Sequence, residues 1–215
     1  MLRNFIKKII PSRGDIFFTL FEESAILAKE SAKILVDILD SQNESKTTLL
    51  HADLKIQKQK ASTNNRRVVR ELNRMFITPI DRGDIQRLSS ILYKLNKKIV
   101  KTAMKLQVFN IDANTDNCLI KSANTLLLSM ELLTDAITGL KEANQKKISI
   151  ADDRINELEE NTIEDLHHSI NEMSSGKFDI PTILKIESIR KNIDSAIESS
   201  VLIADIAMQI SLKSI

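Results

Sequence analysis

Over stretches of about 25 to 30 residues at a time, apolar side chains in this chain step by threes and fours, the repeat of one face of an α-helix. Only three prolines and four glycines interrupt 215 residues. In the first such stretch the series is Phe17, Phe21, Ala25, Ala28, Ala32, Leu35 and Leu39. A β-sandwich or barrel would call for aromatic strands and frequent turns. Aromatic residues make up 4 % of this chain, with no Trp and one Tyr. An all-α protein follows, and 42 % apolar residues are enough to build its core.

The periodicity predicts six long helices. The first runs from about Asp15 to Ser41, and the second from near Glu44 to near Ile77. The third covers Arg82 to Phe109, the fourth Thr115 to Lys141, with Gly139 loosening its end. The fifth covers Gln145 to Met173, and the sixth Pro181 to Leu212. The buried stripe of the second helix is interrupted by Gln57, Asn64 and Asn65, so the middle of that face is polar. Short connections make antiparallel neighbours. The expected architecture is two three-helix bundles in tandem, 15–111 and 112–215, behind a short amphipathic lead, 1–14.

The second and third helices meet at Glu71 to Leu88, ELNRMFITPIDRGDIQRL. Pro79 has no N–H and biases Thr78 away from helical geometry. Asp81 can then cap the next helix, with Asp84 near its positive end. Together with FFTLFEE at Phe17 to Glu23, the run LNRMFITPIDRGDI resembles the PhoU-like proteins, specifically the branch of accessory or regulatory proteins of Pit-type inorganic phosphate transporters. A closely similar phrase sits between the second and third of six helices there. The resemblance implies a non-enzymatic regulator of phosphate transport that acts by contact with a membrane transporter. It also implies metal binding by paired carboxylates one helical turn apart, a geometry suited to a hard or borderline cation.

The register of that resemblance is informative. In the first repeat the acidic pair of the third helix falls on Tyr93 and Lys97, and the acidic segment of the second helix falls on Lys60 to Arg67. No metal is expected in this repeat. If these residues point inward they require carboxylates or an anion as partners, which makes Lys60, Arg66, Arg67 and Lys97 a candidate site for inorganic phosphate. In the second repeat the register retains Asp194 and Glu198 on the sixth helix and Glu159 and Glu160 on the fifth, with Ile163 where a further carboxylate belongs. Those four are candidate ligands for one divalent or trivalent ion; the alternative is an acidic patch with nothing bound. His167 and His168 point about 100° apart on their helix and His51 stands alone, so none is assigned as a ligand.

Charge separates the two halves. Residues 1–110 hold 21 Lys and Arg against 11 Asp and Glu, a net of +10, while residues 111–215 hold 10 against 18, a net of −8. From Lys55 to Lys105 there are 14 basic residues and three acids, and Lys94, Lys97, Lys101 and Lys105 follow helical spacing. The competing function is therefore a basic helical module for nucleic acid or an anionic membrane surface. Only Tyr93 among aromatics interleaves the basic residues, which argues against single-stranded nucleic acid. The lead, with Arg3, Lys7 and Lys8 among Leu2, Phe5, Ile6, Ile9 and Ile10, suits a headgroup layer or folds onto the bundle. It is too short and charged for a signal peptide, and no apolar run approaches the ~20 residues of a membrane span. A cytoplasmic protein, peripheral at the inner face of the membrane and open to self-association, is expected. The lone Cys118 reads as a buried thiol. No phosphate-cradling glycine loop or nucleophile–base spacing points to catalysis.

Overall fold

The computed structural model describes residues 15–111, 117–172 and 178–213. They form six helices and, among the described residues, no strand. The helices are α1 (Asp15–Asp40), α2 (Glu44–Arg74), α3 (Arg82–Phe109), α4 (Asn117–Lys141), α5 (Gln145–Glu172) and α6 (Ile180–Lys213). The lead at 1–14 lies outside the described residues, as do the side chains of Cys118, His167 and His168.

Five of the six helices end within about two residues of the expected positions, the ordinary uncertainty of a helix end. The exception is α2, which stops at Arg74 rather than near Ile77 because Met75 is already extended, at φ −96° and ψ 124°. Asn43 caps the start of α2 by accepting a hydrogen bond from the Lys46 N–H at 3.1 Å. Asp179 does the same for α6, accepting from the Thr182 N–H at 3.1 Å.

Helices α1, α2 and α3 pack on one another, as do α4, α5 and α6. The two trios meet where α1 lies against α4 and α3 against α6. Helices α1, α3, α6 and α4 thus close a central ring, with α2 outside one edge and α5 outside the opposite one. Burial of Phe17, Phe21, Leu92, Leu126, Ile189 and Ile197 is complete. One continuous apolar cluster runs through both trios, from Phe17 to Ile210.

Helix α6 corrects the expectation about apolar runs. It is long and apolar enough, with mean hydropathy 1.3 over its best window, to cross a membrane by length and composition. Most of its isoleucines are spent inside the bundle: Ile186, Ile189, Ile193, Ile197 and Ile203 are fully buried, and Arg190 is buried among them, while Ile180, Leu184, Leu202 and Leu212 are exposed. This is the composition of a core helix contacted on several sides.

Gly139 is likewise not a loose end. A Cβ there would come within 2.9 Å of Ile148 Cγ1 and 3.3 Å of the Asn144 carbonyl oxygen, so the glycine lets α4 and α5 approach at their turn. The Asn144 N–H donates to the Gly139 carbonyl at 2.8 Å, and Ala143 takes a left-handed φ of 53° to make the reversal.

The polar middle of α2 is built inward. Asn64 is buried, and its Nδ2 donates to the Leu20 carbonyl at 2.7 Å and to Ser24 Oγ at 2.8 Å on α1. Asn96 of α3 repeats the arrangement seven residues further along α1. Its Nδ2 donates to the Leu27 carbonyl at 3.1 Å and to Ser31 Oγ at 3.0 Å.

Candidate functional site

In the α2–α3 corner, almost every polar side chain of the TPIDRGD run serves the turn itself. Asp81 Oδ1 accepts from the N–H groups of Gly83 at 2.7 Å and Asp84 at 3.2 Å, the N-cap of α3. Arg82 turns back and donates to the Leu72 carbonyl at 2.6 Å and the Met75 carbonyl at 2.8 Å, satisfying acceptors left open at the end of α2. The Thr78 hydroxyl donates to the Ile80 carbonyl at 2.8 Å. Asp84 pairs with Lys213 of α6 at 2.8 Å. What remains at the tip is apolar: Phe76 is 99 % exposed and Ile77 81 %.

The four candidate anion-binding residues do not form one site, and none points inward. Lys60, Arg66, Arg67 and Lys97 are all exposed, because the buried stripe of α2 runs through His51, Leu54, Ala61, Asn64, Val68 and Leu72. Lys60 and Arg67 line a groove of about 540 Å³ between α1 and α2, together with Glu23, Glu30, Ile26 and Ile56. Arg67 pairs with Glu23 at 3.0 Å there. Two carboxylates, Glu23 and Glu30, share the groove with these cations. Arg66 and Lys97 do not line this groove, and Lys97 lies over the Tyr93 ring, 5.6 Å from its centre.

The acidic candidates fare similarly. Among the described residues no group of three or more His, Cys, Asp or Glu side chains is placed to hold one metal ion. Glu160 and Glu198 are exposed, while Glu159 and Asp194 are half-buried. Burial pushes the Asp194 carboxyl up to about 6, Glu187 and Glu198 add to the rise, and the neighbouring Arg190 guanidinium opposes it. The buried Arg190 guanidinium beside Asp194 opposes a cation there, and the described residues do not gather Asp194, Glu198, Glu159 and Glu160 into one group.

His51 is buried and lines a cleft of about 630 Å³ at the end of α1 and α3, with Glu44, Thr47, Gln107 and Asn110. Burial and the nearby Lys55 hold its pKa below the ordinary histidine value, so it is a neutral imidazole at physiological pH. The Thr47 and Thr48 hydroxyls in this cleft are spent on the Asn43 and Glu44 carbonyls, each at 3.0 Å.

Lys98 and Lys105 play a part that spacing alone did not reveal. Lys98 Nζ donates to the Ser195 carbonyl and Oγ, both at 2.8 Å, and to Ser199 Oγ at 2.7 Å. Lys105 Nζ donates to the Ser188 carbonyl at 2.9 Å and its Oγ at 2.7 Å. Burial lowers the pKa of both amines. Lys105 thereby leaves the exposed basic stripe and joins the α3–α6 seam. The available signal was paired spacing: Lys98 and Lys105 are seven apart on α3, as are Ser188 and Ser195 on α6.

The arrangement of six helices in two mutually packed trios is that of the PhoU-like proteins. A crystal structure of a PhoU-like protein from Shewanella oneidensis MR-1 superposes with a TM-score of 0.81 at 11 % identity, covering 92 % of this chain and 99 % of that one. A second, described as a PhoU-like phosphate regulatory protein from the same organism, gives 0.80 at 11 % identity with the same coverage. No family model matches the sequence and no curated protein matches it. At this identity the likeness establishes the fold.

Proposed function

We propose that this chain is a PhoU-like regulator of inorganic phosphate transport, acting by protein contact at the inner face of the membrane rather than by catalysis. The observation that carries this reading is the PhoU-like fold over nearly the whole chain, together with a structural neighbour described as a phosphate regulatory protein. The resemblance of the LNRMFITPIDRGDI phrase favours the accessory branch of Pit-type transporters, and the corner formed by this phrase is a rigid turn closed by Arg82 on the Leu72 and Met75 carbonyls.

The test is recovery of the tagged full chain from gently solubilised native membranes. A transporter of inorganic phosphate among the retained proteins supports the reading. Recovery of nucleic-acid-binding proteins, with no transporter, would overturn it.

A further inference from the structure

The α2–α3 hairpin carries a set of cations that the fold does not use. Lys55, Lys58 and Arg66 on α2 and Lys94, Lys97 and Lys101 on α3 are all exposed; among the described residues none of the six makes an ion pair, and Lys97 lies over the Tyr93 ring. They share one side of the molecule. Asn65 Oδ1 accepts from Ser89 Oγ at 2.9 Å, which fixes the α2–α3 seam. One position beyond Asn65, a step of about 100°, brings Arg66 to the outer side of that seam. Lys55, eleven residues or about three turns before Arg66, falls on nearly the same line. Between Lys55 and Arg70 on α2, and between Ile85 and Phe109 on α3, there is no acidic residue at all. The outer helix of the other trio, α5, carries Asp152, Asp153, Glu157, Glu159 and Glu160 instead. The charge asymmetry therefore has a direction in space, basic on the α2 side and acidic on the α5 side.

The same hairpin ends in the exposed Phe76 and Ile77. Its tip is also the end of the bundle at which α1 begins, because α1 and α2 run antiparallel. Cations along a face and an apolar wedge at its end are what the headgroup and upper acyl layers of a bilayer accept together. A nucleic-acid duplex would use the cations but not the wedge.

We propose that the outer face of the α2–α3 hairpin is a docking surface for an anionic lipid bilayer, with the six cations at the headgroups and Phe76 and Ile77 inserted between them. The acidic α5 side then faces away from the surface. The proposal does not depend on a phosphate transporter as partner, and its test contains none.

The experiment is co-sedimentation of the purified full chain with vesicles of phosphatidylcholine alone and of phosphatidylcholine with phosphatidylglycerol. Parent protein is expected to bind only the anionic vesicles, and less as salt rises. Lys94→Gln, Lys97→Gln and Lys101→Gln together should lower partitioning on the order of a hundredfold, about fivefold per cation. Phe76→Ser with Ile77→Ser should lower it at least about tenfold while leaving the circular dichroism spectrum unchanged. Absence of binding to the anionic vesicles overturns the proposal, as does binding that neither variant changes. A chain beginning at Asp15 that loses all binding while the hairpin variants retain it assigns the contact to the lead and also overturns it. So does a preference for duplex DNA over vesicles that is indifferent to the tip variant.

Discussion

Arg82 and Asp194 are two charged residues whose surroundings give them opposite effects on stability. The Arg82 guanidinium closes the end of α2 through the Leu72 and Met75 carbonyls. Replacing it with Ala leaves those acceptors to water and should cost about 2 kcal/mol, read as a lower midpoint of urea unfolding with unchanged slope. Asp194 works the other way. Its carboxyl is raised from 3.8 to about 6, chiefly by burial, so across that window the folded state holds a proton the unfolded chain has released. Ionisation therefore costs stability progressively as pH rises toward about 6, and in full above it. Asp194→Asn, which cannot ionise, is expected to match the parent near pH ~4 and to melt at a higher temperature near pH ~8. Equal melting temperatures at both pH values would refute this account of Asp194.

At the scale of the helix, the contacts that set spacing are small or polar, and these were the hardest to read in advance. The threes-and-fours pattern located the helices because it is imposed by the backbone repeat and needs no knowledge of the partner. Asp81 was legible as a cap because capping is local. The outward direction of Lys60 and Arg67 was not, because it depends on where α1 sits against α2, and the same holds for Lys98 and Lys105 reaching α6. Gly139 shows the difference well: as a helix residue it reads as a weak point, whereas in the packed molecule it is where Ile148 comes close. Gly139→Ala should therefore destabilise by ~1–3 kcal/mol despite its better helix propensity, and thermal melting would show it. An increase in melting temperature would mean that α4 and α5 have room to spare. Lys98→Ala strips α6 of three hydrogen bonds at once, and hydrogen exchange of α6 amides should quicken more than that of α2 amides.

For the whole molecule, the charge division between halves is not what joins them. Two ion pairs that cross the junction invert it: Lys141 of the acidic half meets Glu22 of the basic half at 2.5 Å, and Lys213 meets Asp84 at 2.8 Å. Attraction between the net charges of the halves is incidental to these two pairs, and the junction is held by the shared apolar cluster and by Lys98 and Lys105 donating to serine groups of α6. One consequence is cooperativity. Although two three-helix repeats are readable in the chain, α1 and α3 each bury a face against the other half, so unfolding is expected as one transition by circular dichroism and by a probe placed in either half. Two separated transitions would show that each trio holds its own core. The division into repeats describes how the chain is laid out, whereas the ring of α1, α3, α6 and α4 describes what must form together.

The two buried asparagines bear on how the chain avoids folding into the wrong alignment. Apolar layers that repeat along a helix look much alike to a neighbour displaced by two turns, and they penalise such a displacement weakly. Helix α1 offers two matching notches seven residues apart, Leu20 with Ser24 and Leu27 with Ser31, and α2 and α3 each fill one with an amide. Each amide leaves its own Oδ1 buried without a partner, a sacrifice of stability of the kind that a single polar residue in a helical seam makes to fix alignment. The pair works as a vernier: only one sliding position of α2 and α3 along α1 seats both marks at once.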